Sequence, residues 1–385
     1  MHRGVATFTL DTGKCPKWLF DRMVRLGRSI NEVLIDEFGP DEFIKRISDP
    51  VWFQSLGTVL AFDWNASGLT TILTAALKES IRGEEERLGV FICGGKGKTS
   101  RKTPDQIYEW GNRLGLAEGD TANLSYNSRM AAKVDSALVQ DGYQLYHHSF
   151  FFSRNGAWAV VQQGMNERTS TARRYHWYSE SVHDLVREPH SGISSEAFNA
   201  SMLNLVARES DNARNVSTEL VQSSFPAIKK DIEILRRHST PVSRMASVRH
   251  GSGQLTLLEL SPHEFRYHPV VEENFWYSKY LEKILQKLAY EKPKNYESLL
   301  ATEGVGAKTI RALALVAEII YGARPSYKDP ARYSFAHGGK DGTPYPVDRK
   351  TYDRTIALLR EAIQKSQATP KEKDGAMGRI TQLSF

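Results

Sequence analysis

The chain has 385 residues, 40% of them hydrophobic and 25% charged, with a mean hydropathy of −0.45. That is enough for two domains, and no run of about 18 apolar residues appears, so membrane spanning is not expected. The net charge of +6 and the pI near 9.1 suit an anionic partner.

Only two cysteines, Cys15 and Cys93, are present, too few alone for a metal site or a disulfide framework. The beginning of the chain has no apolar leader core, so a reducing, cytoplasmic location is expected. Residues 5 to 10 alternate loosely and predict an opening strand. A helical pattern follows through Trp18, Leu19, Met23, Val24 and Leu26. Residues 51 to 62 are largely apolar and close with Asp63-Trp64-Asn65-Ala66-Ser67. Such a run could bind a cation through oxygens, but a cap by Ser67 on a helix over 71–81 is the plainer meaning.

Leu88–Cys93 reads as a buried strand feeding the loop Gly94-Gly95-Lys96-Gly97-Lys98-Thr99-Ser100-Arg101-Lys102. A P-loop is ruled out because the place five residues before Gly97 holds Ile92, so no nucleotide triphosphate is expected. What remains is a basic loop whose Lys96, Lys98, Arg101 and Lys102 could hold backbone phosphates, or could simply be solvated. Thr103-Pro104-Asp105 then opens a helix.

Ser128–Leu138 reads as a helix and Val139–Gly142 as a turn. Tyr143–Ser153 and Ala157–Met165 are strands joined by Arg154-Asn155-Gly156. These strands carry Gln144, His147, His148, Gln162 and Gln163, and adjacent histidines on a strand must face opposite ways. Asp135, Asp141 and His147 or His148 are candidates for a general-base or metal cluster of a nuclease; a divalent metal is implied only under that reading. A structural role for each is the alternative. Arg168, Arg173, Arg174, Tyr175 and Trp177 suggest a nucleic-acid surface with stacking rings.

Glu188–Ser194 reads as a linker ending in a Ser194 cap. Helices are predicted over Ser195–Glu209 and Ser217–Arg237, then a loop over 239–252 and a strand over Leu255–Leu260. A helix over Val271–Tyr290 follows, with Phe275, Trp276, Tyr280, Ile284 and Leu288 as its core stripe. Lys365–Gly378 is charged and poor in apolar residues, so fraying is expected there.

Between these lies the stretch that bears most on function. A short helical pattern with Leu299 and Leu300 is joined to a longer one, Ala307 to Tyr321, by Gly304-Val305-Gly306. The glycines permit positive φ and close backbone approach. The amides of Gly306, Ala307 and Lys308 would open the second helix toward a phosphate, with Lys308 and Thr309 beside it. A plain turn linking two core helices is the alternative.

This string resembles the helix-hairpin-helix that grips a nucleic-acid backbone without reading sequence. In the DNA glycosylase superfamily built on that element, the resemblance places a nucleophilic lysine at Lys308. It also places an assisting aspartate at Asp348, in Val347-Asp348. The loop Gly322–Thr343 then stands as an insertion, and Asp348 as a helix N-cap is the alternative. The iron–sulfur form is excluded for want of cysteines.

Several strings together also resemble a prokaryotic domain-of-unknown-function family, number 763. They are Gly4-Val5-Ala6, Gly94–Lys98, Asp141–His148, Val161–Met165, Glu188-Pro189-His190 and Asp341–Arg349. That resemblance spans nearly the whole chain and implies one full-length architecture but no activity.

The fold class expected is α+β: an N-terminal α/β domain (1–190) with an antiparallel hairpin, a helical linker region (191–260), a mostly helical domain carrying the helix-hairpin-helix (261–365), and a flexible tail (366–385). The expected partner is duplex DNA, damaged or intact, with no membrane. The expected function is a repair-type DNA-processing enzyme, glycosylase, lyase or nuclease; the alternative is a non-enzymatic DNA-binding scaffold.

Overall fold

Three consecutive phenylalanines, Phe150-Phe151-Phe152, leave a strand without a polar face, so it must be covered on both sides. The computed structural model, which describes residues 15–60, 66–195, 202–238, 245–250, 254–259, 278–331 and 349–383, meets that demand. Strands β1 (Val90–Lys96), β2 (Val139–Gln140), β3 (Gln144–Ser153), β4 (Trp158–Asn166), β5 (Thr171–Tyr178) and β6 (His190–Ser195) occupy its first half. All but β2 form one antiparallel sheet in the order β1-β3-β4-β5-β6. Phe151 packs on one side with Ile92, Ala159 and Val161. Phe150 and Phe152 pack on the other with Phe91, Trp158 and Val160.

The first side is covered by α1 (Lys17–Phe38), α2 (Pro40–Ile47), α3 (Pro50–Val59) and α4 (Ala66–Ser80). In α1 the buried Met23, Leu26, Ile30 and Leu34 recur at three- and four-residue steps, so one face is apolar. Asp49 caps α3 by accepting from the amides of Val51 and Trp52 at 2.8 and 3.3 Å. After the short α5 (Glu85–Leu88) and β1, the second side is covered by α6 (Thr103–Leu114), α7 (Glu118–Ala137), α8 (Asp211–Gln222), α9 (Phe225–His238), α10 (Lys279–Glu291), α11 (Tyr296–Ala301) and α12 (Ala307–Ile319). The last helices, α13 (Arg349–Lys365) and α14 (Pro370–Leu383), return to the first side. This is the mixed α+β architecture expected, with the antiparallel sheet in the first half and helices beyond it.

Several elements differ from the sequence-based expectation. The stretch read as a linker is β6, an edge strand, and Ser194 lies within it rather than capping a helix. No helix covers residues 202–207; β7 (Leu203–Asn204) pairs there with β2. Asn204 explains this, because its side-chain oxygen accepts from the amides of Val206 and Ala207, both at 3.2 Å, and so competes with helix. Strand β1 runs on to Lys96 and passes into a 3-10 turn over Gly97–Lys102. A two-stranded ribbon pairs β8 (Met245–His250), where a loop was expected, with β9 (Gln254–Glu259).

Ser67 sits inside the first turn of α4 rather than at its cap. Tyr280 is 60% exposed, and Leu281 and Leu285 join Ile284 and Leu288 in the buried stripe of α10. Residues 370–383, read as prone to fray, form a helix anchored by buried Ala376 and Ile380. The strand expected over 5–10, Asp63–Asn65, Phe275, Trp276 and Asp348 lie outside the described residues.

One ion cluster joins distant parts of this arrangement. Arg173 of β5 donates to Asp141 at 3.0 Å and, through two nitrogens, to Asp329 at 3.1 and 2.8 Å. All three side chains are buried. Asp141 also accepts from the Tyr175 hydroxyl at 2.7 Å and the Tyr143 amide at 3.0 Å. Burial pushes the Asp141 carboxyl up, against the downward pull of Arg173 and these donors. Burial would lower the Arg173 guanidinium, but Asp141, Tyr175 and Asp329 reverse this and raise it. Arg173→Leu strands two buried carboxylates and is expected to cost roughly 3–5 kcal/mol in urea unfolding. Lys229→Ala, which breaks the exposed pair with Glu282, should leave the urea midpoint nearly unchanged.

Candidate functional site

The Gly304–Gly306 turn is built from both ends. Asn295 and Ser298 form a reciprocal capping box that starts α11, and the chain then turns through Thr302–Gly306 into α12. Gly304 has φ +88°, and a side chain there would press on Ile284 Cδ1. Val305 is buried beneath the turn. Gly306 is the extended N-cap of α12, makes no side-chain cap, and has open space where a Cβ would stand.

The carbonyls of the turn are taken from below. Lys133 donates to Thr302 O at 2.8 Å, Lys287 to Glu303 O at 3.3 Å and the Tyr280 hydroxyl to Gly304 O at 3.1 Å. Burial, then the neighbouring Lys287 cation, lowers the Lys133 ammonium. Lys308 is exposed on the first turn of α12. Thr309 is buried, so its hydroxyl is not offered to a phosphate at the surface.

The basic loop sits at the end of edge strand β1. Lys96, Lys98, Arg101 and Lys102 are all exposed, and the Lys96 ammonium lies 5.8 Å from the centre of the Tyr146 ring.

The four acid and histidine candidates are not gathered into one centre. Asp135 on α7 accepts from Trp177 Nε1 at 3.1 Å, from His190 Nε2 at 2.5 Å and from the Gln162 amide. The Gln162 nitrogen is spent on Asp135 and on Ala131 O, so its oxygen must accept from His148 Nδ1, 2.7 Å away. His148 therefore carries its proton on Nδ1, and its Nε2 accepts from the Ser128 hydroxyl at 2.9 Å. Burial holds the His148 ring below its ordinary pKa, so it is neutral.

Asp141 belongs to the Arg173 cluster instead. His147 faces the opposite side of the sheet, where its Nε2 meets Thr74 Oγ1 at 3.1 Å and Ser149 Oγ at 3.2 Å. Among the described residues, no three His, Cys, Asp or Glu side chains are placed to hold a metal ion.

The expected stacking surface is also interior. Arg173, Arg174, Tyr175 and Trp177 are fully buried, while Arg168 is exposed in the β4–β5 turn. Arg174 donates to Gln54 Oε1 at 3.3 Å, Thr70 Oγ1 at 3.2 Å and Pro50 O at 3.3 Å, and burial lowers it to about 9. Strands covered on both faces internalise rings and cations that single-faced strands would expose.

Sequence reasoning missed two residues. His190, paired with Asp135, was placed in a linker; its Glu-Pro-His string was the available signal. Lys78, half-buried on α4, carried no signal beyond an apolar neighbourhood.

A family model described as a protein of unknown function, DUF763, matches residues 4–347. No curated protein and no solved structure matches the chain. No helix among the described residues is long and apolar enough to cross a membrane.

Burial, with help from His148 and Lys96, lowers His147 to about 3 from its ordinary 6.5. The unfolded chain therefore binds this proton first, and the stability contributed is complete above pH 6.5 and lost as the pH falls toward 3. In urea unfolding, wild type should lose more stability between pH 7 and pH 5 than His147→Gln, by roughly 2 kcal/mol. Equal losses would remove His147 as the titrating group.

Proposed function

The chain belongs to the DUF763 family, and we propose that it binds the backbone of duplex DNA, without reading sequence, through the Gly304-Val305-Gly306 turn. The observation that carries this reading is the open amino end of α12. Its N-cap glycine leaves space for a close approach, its amides meet no capping side chain, and Lys308 stands exposed beside them. Turn carbonyls that would repel a phosphate are occupied by Lys133, Lys287 and Tyr280. The unpaired N–H groups and the helix dipole then favour an anion. The likeness of this string to the helix-hairpin-helix supports the same reading.

The two glycines have separate roles. Gly304 serves the fold, because its φ of +88° is one that residues with a side chain rarely adopt; Gly306 serves access, because its φ of −148° suits any residue. Covalent attack by a lysine needs an amine in a dry, positioned site. Lys308 is exposed, so the reading favoured is a DNA-binding protein in which Lys308 is a phosphate contact rather than a lyase nucleophile.

Fluorescence anisotropy on duplexes of unrelated sequence tests this. Lys308→Glu should weaken all of them alike, by about tenfold, and reduce the slope of log K against log salt by about 1. Gly306→Ala should weaken binding with little change in stability. Unchanged affinity in both variants would remove the turn from the reading. Borohydride treatment on an abasic duplex should give no Lys308-dependent crosslink; a crosslink lost in Lys308→Ala would make the chain a lyase.

A further inference from the structure

Across the sheet from the turn, a groove of about 910 Å³ opens between α1, α4 and the end of β1. Five cations line it: Arg22, Arg25, Lys78, Arg82 and Lys96, against the carboxylates of Asp21 and Glu79. Arg25 and Arg82 are engaged with Glu372 and Glu79 in exposed pairs. Arg22, Lys78 and Lys96 make no ion pair among the described residues.

Lys78 is the inner cation. Its ammonium donates to Gly94 O at 3.3 Å and to Gln106 Oε1 at 2.9 Å, and the same oxygen accepts from the Gly94 amide at 2.8 Å. Two of its three donors are thereby spent, and the third remains. Burial lowers this ammonium, as befits a cation held away from water with no carboxylate bonded to it.

The floor supplies a hydroxyl. Thr74 donates to Thr70 O at 2.9 Å, so it accepts from His147 Nε2, which must then carry the ring proton. Ser149 shares that proton at 3.2 Å and keeps its own hydrogen for the groove it lines. At the rim Trp18 is 60% exposed, with the Arg22 guanidinium 5.3 Å from its ring centre.

We propose that this groove binds the terminal phosphate of a nucleotide or of a nucleic-acid strand, with Lys78 as inner anchor, Arg22 and Lys96 as outer anchors, Ser149 as a floor donor and Trp18 as the stacking platform. Three cations outside ion pairs suit a dianionic monoester better than a singly charged diester. A half-buried ammonium beside a carbonyl gains most when an anion replaces its lost water. An exposed indole next to a guanidinium accepts any base, so the site is indifferent to sequence. It does not depend on the Gly304 turn, and either can fail alone.

The test compares short single strands of one sequence carrying either a 5′-phosphate or a 5′-hydroxyl, by anisotropy on the full chain. The phosphorylated strand should bind about tenfold tighter. Lys78→Met and, separately, Lys96→Glu should erase that preference, while Lys308→Glu should leave it unchanged. Should Lys78→Met fail to fold by circular dichroism, the exposed Lys96 variant carries the test.

Adenosine monophosphate and inorganic phosphate as competitors assign the source. Displacement by the nucleotide points to a nucleotide site; resistance to both, with the strand preference intact, points to strand ends. No preference for phosphate in wild type, or a preference that survives in both folded groove variants, overturns the proposal.

Discussion

The Arg173 guanidinium, buried in the middle of a sheet, is held between two buried carboxylates. Arg173 meets Asp141 from the turn before β3 and Asp329 from the segment after α12, and the Tyr143 ring lies 4.9 Å away. A hydrophobic cluster of the same volume could be equally stable. What the ions add is a tie between separate segments, because one fork receives carboxylates from two places in the chain. Asp329 follows Arg173 by 156 residues, so the cluster fixes the late helical segment against the early sheet. The same late segment is held by Asn204, whose backbone and side-chain amides donate to Ser326 O and Lys328 O, each at 2.9 Å.

Enclosure of the sheet also decides what its polar residues do. Gln162, His148, Asp135, Trp177 and His190 have no water to turn to, so they satisfy one another, and the chain of donors settles the His148 tautomer. Asp135 and His148, candidates by residue type, are thus tied into one hydrogen-bonded chain through Gln162. The Asp135 carboxylate accepts from an indole, an amide and an imidazole at once, which fixes its orientation.

The elements legible in the sequence were those whose pattern is local. The β3–β4 hairpin announces itself by apolar runs flanking Arg-Asn-Gly, α6 by Thr-Pro-Asp, and α12 by its apolar period. Those that were misread depend on partners far away. Strand β6 has the composition of a linker and becomes a strand only because β5 offers an edge. Helix α14 opens with the charged run Lys371-Glu372-Lys373-Asp374, yet Ala376 and Ile380 suffice once α3 is beside them. The same holds for the site. The Gly-Val-Gly turn could be read directly, whereas the groove needs α1, α4 and β1, which no spacing brings together.

Charge was the least transparent quantity, because net charge does not say where cations stand. The structure sorts them by chemistry. The fully charged residues buried as cations are arginines, Arg173, Arg174 and Arg214, whose planar forks spread charge over several acceptors. Among the described residues, no lysine is fully buried. The ammonium is a compact charge that keeps its water, so lysines stay at the surface or, like Lys78, at a groove. A basic pI alone would count both kinds equally. Only the surface kind can release counterions from a polyanion, and four of them, Lys96, Lys98, Arg101 and Lys102, stand together in one exposed loop.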